Sequence, residues 1–195
     1  MQQADTISAI ATGSVESGIG IIRLSGERAL EVASRVFRAR SGRKLQEMKS
    51  YQAVYGQIVR ADGGMVDEAI CLVMRAPHSY TMEDVVELQC HGGMMPLRET
   101  LSLTYRNGAR PAERGEFTKR AFLNGRLDLT QAQAVMDIIQ AKTEHSLEMA
   151  AGHLSGRFSG QIHELRHQVL EMIAHLEAAI DFPEDDVDEV VLSEV

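Results

Sequence analysis

Residues 115–135, GEFTKRAFLNGRLDLTQAQAV, mark the point where the chain changes character. From Phe117 to about Ile180 there is no proline, and glycine occurs only at positions 125, 152, 156 and 160. Proline breaks a helix interior and glycine weakens it, so their scarcity predicts helix. Thr130 reads as an N-cap with an alanine-rich helix behind it. A second helix carries apolar residues three and four apart, at Ile162, Leu165, Val169, Met172, Leu176 and Ala179. That spacing is one seam of a helix bundle, and Pro183 stops it.

Upstream of this stretch the chain reads as mixed strand and helix. Asp5 to Thr12 and Ile19 to Leu24 are short, isoleucine-rich strands around a turn-like Gly13 to Gly18. Gly26 to Arg38 has the apolar spacing of a helix at Ala29, Leu30, Val32, Ala33, Val36 and Phe37. Tyr51 to Val59, Val66 to Met74 and Val85 to Gln89 read as strands. The first two are joined as a hairpin by Ala61-Asp62-Gly63-Gly64. Met94 to Tyr105 reads as a helix ended by Asn107-Gly108. The expected fold class is therefore α+β, with a first domain over residues 1–118 and a long helical hairpin over 119–195. Two long helices leave an apolar stripe uncovered. They must pack back on the first domain, pair with another chain, or belong to a bundle whose other helices lie elsewhere. The ending VLSEV carries no stop signal, which points to a chain cut short of a longer one.

Composition narrows the function classes. The 195 residues are 44% hydrophobic and 25% charged, values that support a sizeable core and argue against disorder. No apolar run approaches the roughly 20 residues that span a bilayer, and MQQADTISAI has no basic patch or apolar h-region, so neither a membrane span nor a secretory signal is expected. With two cysteines, Cys71 and Cys90, a disulfide framework is excluded and a reducing, cytoplasmic setting is expected. Net charge is −8, but Asp181 to Val195 holds seven acids and no base, leaving 21 acids against 20 bases in residues 1–180. A bulk nucleic-acid binder would be basic; any RNA contact must be local or made by something outside this chain.

Several motifs compete. His163-Glu164-Leu165-Arg166-His167 matches the zinc-protease string HExxH, but the seam at Ile162 and Leu165 puts both histidines on the opposite face, as in a solvated helix. Gly13 to Gly18 has phosphate-loop spacing, yet Ile19-Gly20 stands where Lys and Ser/Thr are required. Gly18-Ile19-Gly20 begins a dinucleotide fingerprint, but Arg23 stands where the third glycine belongs. Both readings are rejected in favour of a tight strand connection. Cys90-His91-Gly92-Gly93 follows a strand and precedes a helix: either a structural turn with a buried cysteine or an anion site at free backbone N–H groups. A Cys–His nucleophile is disfavoured because neighbours on a strand point to opposite faces. Arg106, Arg110, Arg114, Lys119, Arg120 and Arg126, against Glu113 and Glu116, make a local net of +4. That is either a solvated face or a surface for an anionic small molecule or RNA phosphate.

The strings DTISAIAT, GIGIIRLSG, PHSYTMEDVVELQCHGG, GEFTKRAFLNGRLDLTQAQAV and EAAIDFPEDD, in this order, resemble the N-terminal part of the MnmE (TrmE) family of tRNA modification GTPases, along nearly the whole chain. The resemblance implies a first domain with a fold like the folate-binding aminomethyltransferases, which dimerises and binds 5-formyltetrahydrofolate or another tetrahydrofolate derivative. It implies a helical domain into which a GTPase domain, using potassium and magnesium, is inserted. With the flavoprotein MnmG (GidA), such enzymes add an aminomethyl-type group, carboxymethylaminomethyl, to C5 of the wobble uridine of tRNA. Carried over residue by residue, the family's folate-contacting arginine falls on Arg23, its glutamate on Glu87, and its basic residue before Leu-Asp-Leu on Arg126. A carboxylate such as Glu87 can accept from pterin N–H groups, and Arg23 or Arg126 suits the anionic glutamate tail. Met82 stands where the family commonly has glycine, Arg114 where proline often precedes Gly-Glu-Phe, and the Thr12 to Gly18 turn lacks the usual Pro-Gly form. No Walker A string and no C-terminal cysteine motif occur, so GTP hydrolysis is expected only of the full-length enzyme, and no catalytic or metal-ligating residue is expected here. The alternatives are a non-catalytic module for dimerisation and RNA or partner binding with a vestigial folate pocket, and, more distantly, a zinc hydrolase using His163 and His167.

Overall fold

The computed structural model describes residues 5–13 and 16–181. The acidic tail after Asp181, the Pro183 helix stop and the Ser14-Val15 part of the early turn lie outside the described residues. The chain divides into two compact units, residues 1–127 and 128–195. The division falls later than the expected 118/119 because the segment after Thr118 is anchored in the first unit. Arg120 is only 3% exposed there and Ala121 is fully buried.

The first unit contains β1 (Ile7–Ile10), β2 (Ser17–Ser25), α1 (Ala29–Val36), β3 (Phe37–Ala39), a 3₁₀ turn (Leu45–Glu47), β4 (Gln52–Val59), β5 (Met65–Met74), β6 (Val85–Gly92), α2 (Met94–Arg106), β7 (Arg110–Pro111) and α3 (Glu116–Leu123). The strands form one sheet in the order β3-β4-β5-β6-β2-β1-β7. All neighbours are antiparallel except β1 and β7. The α+β class and the strand and helix positions match the sequence reading, with one shift. The helix expected over Gly26 to Arg38 ends at Val36, and Phe37–Ala39 pairs with β4 instead. The β4–β5 hairpin closes at the expected place, Arg60 N–H to Gly64 C=O, with Gly63 at φ 85° supplying the left-handed backbone.

Strand alternation decides which residues face the core. Ile22 and Leu24 of β2, Cys71 and Val73 of β5, and Val86, Leu88 and Cys90 of β6 are buried with Leu30, Val32, Ala33 and Val36 of α1 and Leu97 and Leu103 of α2. Each such fully buried aliphatic side chain contributes about 1.5–3 kcal/mol. The interleaved residues, Arg23 on β2 and Glu87 on β6, must therefore project from the other face of the sheet. That face also exposes Ile19, Tyr55 and Ile70.

The second unit contains α4 (Leu129–Gln140), α5 (Glu144–Leu154) and α6 (Arg157–Asp181). Three helices thus stand where two long ones were expected. Two capping boxes set the starts: Asp128 with Gln131, and Thr143 with Ser146. The α4 cap is therefore Asp128, not Thr130, whose hydroxyl is already inside the first turn. Gly156 at φ 81° separates α5 from α6. α4 packs against α5, and each carries one buried alanine, Ala134 and Ala150. The Gln131 amide also donates to the Leu154 carbonyl at 3.0 Å. The residues of the expected seam fall on α6, where Ile162, Leu165, Val169 and Leu176 are exposed.

Candidate functional site

Arg23 and Glu87 are direct partners across the β2–β6 pairing. Residues opposite one another on neighbouring strands share a face, so the ion pair follows from the register. Arg23 Nε donates to Glu87 Oε1 at 2.8 Å, and Nη2 lies 2.8 Å from the same oxygen. Among the described residues none donates to Glu87 Oε2. The Glu87 side chain is 12% exposed and that of Arg23 29%, so the pair is sheltered but reachable.

Two aromatic rings wall the pair. The Arg23 guanidinium lies 5.8 Å from the Tyr80 ring centroid and 5.7 Å from that of Phe117. Arg126 lies over the Tyr80 ring at 4.7 Å, well inside cation–π range. The three residues singled out in the sequence, Arg23, Glu87 and Arg126, are thus gathered around Tyr80. All belong to the first unit; a division at 118/119, which falls within α3, puts Arg126 at the start of the helical region instead. The chemistry on offer is a sheltered carboxylate acceptor, two rings and one exposed guanidinium. Tyr80 and Phe117 were not singled out from sequence, although both lie within the quoted strings. Nothing in the spacing of an isolated aromatic marks it as a site wall.

Tyr80 sits in the β5–β6 loop, residues 75–84, which is tied on both sides. Asp84 accepts from the Arg75 guanidinium and the Ala76 N–H. The Ser79 hydroxyl donates to the Glu83 carbonyl at 2.6 Å, and the Asn124 amide donates to the Thr81 carbonyl at 2.7 Å. The Tyr80 hydroxyl bonds Thr118 Oγ1 at 2.9 Å. Met82 holds φ 60°, a left-handed conformation. This gives the departure from glycine a physical meaning, since glycine adopts that backbone without strain.

The basic stretch divides into two kinds of residue. Arg110 and Arg120 are taken up by Asp5, Glu83 and Glu116. Hydrogen bonds from Arg110 hold the Glu116 carboxyl down at about 2, against the burial that opposes its charge. Arg106, Arg114, Lys119 and Arg126 are exposed.

Cys90 and His91 face opposite ways, as alternation requires. Cys90 is 3% exposed, and burial pushes its thiol up to about 11. Cys71 is pushed to about 12 by the same cause. His91 is exposed; its backbone N–H and Nδ1 reach the two oxygens of Asp67 at 2.8 and 2.6 Å. Asp67 raises the imidazole pKa by that hydrogen bond and by its charge. His163 and His167 are exposed on α6. Among the described residues no three His, Cys, Asp or Glu side chains converge as metal ligands. No described helix is long and apolar enough to cross a membrane.

Comparison with known proteins adds the family. The model of the GTP-binding protein TrmE N-terminus matches residues 6–126, and that of the MnmE helical domain matches residues 129–195. The tRNA modification GTPase MnmE of Symbiobacterium thermophilum is 57% identical over 180 residues, 92% of this chain and 39% of that protein. Its counterpart from Alkaliphilus metalliredigens is 49% identical over 189 residues, 96% of this chain and 41% of that protein. That from Geobacillus kaustophilus is 50% identical over 192 residues, 97% of this chain and 42% of that protein. The chain therefore spans about two fifths of the length of the curated relatives it matches.

Proposed function

The chain belongs to the TrmE (MnmE) family of tRNA modification GTPases, and on that premise we propose that its first unit binds a reduced folate at the Arg23–Glu87–Tyr80 cluster. The observation that carries this reading is the Arg23–Glu87 pair, whose Oε2 has no donor among the described residues, with Tyr80 and Phe117 about the Arg23 guanidinium and the exposed Arg126 over the Tyr80 ring. A reduced pterin is a ring system edged with N–H groups, and its glutamate tail is anionic. Glu87 Oε2 would accept from the pterin edge. Tyr80 and Phe117 would flank the ring. Arg126 would meet the tail carboxylates. Arg23, already spent on Glu87, would hold that carboxylate in place. The donor set thus fits 5-formyltetrahydrofolate or a related tetrahydrofolate, which supplies a one-carbon unit when bound.

The wider reading rests on family membership. In the full-length enzyme the first unit, with a fold of the aminomethyltransferase kind, serves a homodimer. The enzyme acts in the cytoplasm with the flavoprotein MnmG to install an aminomethyl-type group on C5 of the tRNA wobble uridine. GTP, potassium and magnesium act in a GTPase domain of that longer protein. Exposed Ile19, Tyr55 and Ile70 on the outer sheet face support self-association, since clustered apolar surface marks interaction sites. A second reading, a dimerisation and RNA-binding module without folate, is favoured only by the exposed Arg106, Arg114, Lys119 and Arg126. Equilibrium dialysis with 5-formyltetrahydrofolate separates the two. Saturable binding by the folded protein is expected; a folded dimer that binds tRNA but no folate would establish the second reading instead.

A further inference from the structure

The site walls come from two segments far apart in sequence: Tyr80 from the β5–β6 loop, and Phe117 and Thr118 from α3. What fixes their spacing lies behind them. Arg120 of α3 is 3% exposed. Its Nη1 reaches both carboxylate oxygens of Glu83, at 3.0 and 3.1 Å. Its Nη2 reaches Asp5 Oδ1 at 2.6 Å and Glu116 Oε1 at 3.1 Å. Glu83 lies in the same loop as Tyr80 and also accepts from the Ser25 hydroxyl at 2.7 Å. Ser25 has one proton, so the 2.6 Å contact between Ser25 and Thr81 Oγ1 must be donated by Thr81. The loop is therefore pinned to β2 through Ser25 and to α3 through Arg120. Both pins lie within a few residues of Tyr80 and Phe117.

We propose that Glu83 and Arg120 are positioning residues that set the separation of Tyr80 from Phe117, and with it the width of the ligand slot beside Glu87. The inference deepens the folate reading and rests on it for its ligand. Arg120 is buried and the Glu83 carboxylate is taken up by Arg120 and Ser25, so each acts through the ring its own segment carries. A planar guanidinium shared among three carboxylates fixes direction as well as distance, which a lysine at the same place cannot reproduce.

The test uses Glu83→Gln, which keeps size but removes the charge and replaces one of the two oxygens that accept from Arg120 and Ser25 with an amide donor. Protein labelled with ¹³C-tyrosine reports the Tyr80 ring without ligand. The Tyr80 resonances are expected to shift while those of Tyr51 and Tyr55 stay in place. Affinity for 5-formyltetrahydrofolate is expected to fall about tenfold in the parent background and by less than about twofold in Tyr80→Ala, because coupled residues are non-additive. Arg120→Lys carries the same two measurements if Glu83→Gln does not fold, with smaller effects expected. Unmoved Tyr80 resonances in a folded variant, or equal losses in both backgrounds, would overturn the positioning role. If Tyr80 moves but the parent binds no folate, the folate reading fails and the positioning of Tyr80 stands.

Discussion

Arg23 and Glu87 lie opposite each other in the β2–β6 register, and both guanidinium contacts end on the same carboxylate oxygen, Oε1, at 2.8 Å. A fork-to-fork pair would have used both oxygens. The one-sided pair leaves Oε2 without a donor among the described residues, while the Arg23 guanidinium lies 5.8 Å from the Tyr80 centroid and 5.7 Å from that of Phe117. It also spends the charge of Arg23 within the protein, so the exposed Arg126 over the Tyr80 ring is a cation available to an anionic ligand.

Met82 gives a test of backbone strain in the loop that carries Tyr80. Met82→Gly and Met82→Ala remove the same side chain beyond Cβ, but only glycine adopts φ 60° freely. The glycine variant is expected to be more stable than the alanine variant by about 1 kcal/mol. Equal urea midpoints for the two would show that the loop carries no strain there.

Glu116 predicts the acid limit of the first unit. Its folded pKa, about 2, lies below the ordinary glutamate value because Arg110 hydrogen-bonds the carboxylate. A depressed carboxyl stabilises the fold fully above its unfolded pKa and loses that contribution as pH falls through the folded one. Stability should therefore drop between roughly pH 4.3 and 2, by on the order of 3 kcal/mol from this group. Chemical denaturation at stepped pH should show a flatter profile in Glu116→Gln, on a lower neutral baseline. An unchanged slope would assign the acid limit to other carboxylates.

His91 predicts a titration above its ordinary range. Asp67 raises its pKa, so the imidazolium–carboxylate contact is complete below the unfolded value and is lost as pH rises through the folded one. The His91 ring signals in NMR should titrate with a midpoint above about 6.5. Asp67→Asn should lower that midpoint, with Glu68 supplying the residual shift. A midpoint indifferent to Asp67→Asn would mean that the pair does not persist in solution.

The sheet was legible because its strands alternate: Ile22, Leu24, Val86 and Leu88 inward, with Arg23 and Glu87 between them. The helical part was legible as helix but not as three helices. Its breaks depend on capping by Asp128 and Thr143 and on a left-handed Gly156, while the apolar rhythm runs on past them. Of the site, Arg23, Glu87 and Arg126 came from family resemblance and not from periodicity. Their meeting around Tyr80 depends on strand register and on the buried Arg120, which composition alone had grouped with a basic surface.

In the proposed folate site Glu87 is the acceptor of the pterin edge. Parallel calorimetric titrations of 5-formyltetrahydrofolate into the unmodified protein and into Glu87→Ala test it most directly. Saturable binding to the first is expected, with a tenfold to hundredfold weaker affinity, about 1.5–3 kcal/mol, in the second, and fold and oligomeric state unchanged. Equal affinity in both proteins, or the loss of folding in Glu87→Ala while folate affinity persists in the surviving folded fraction, would contradict it.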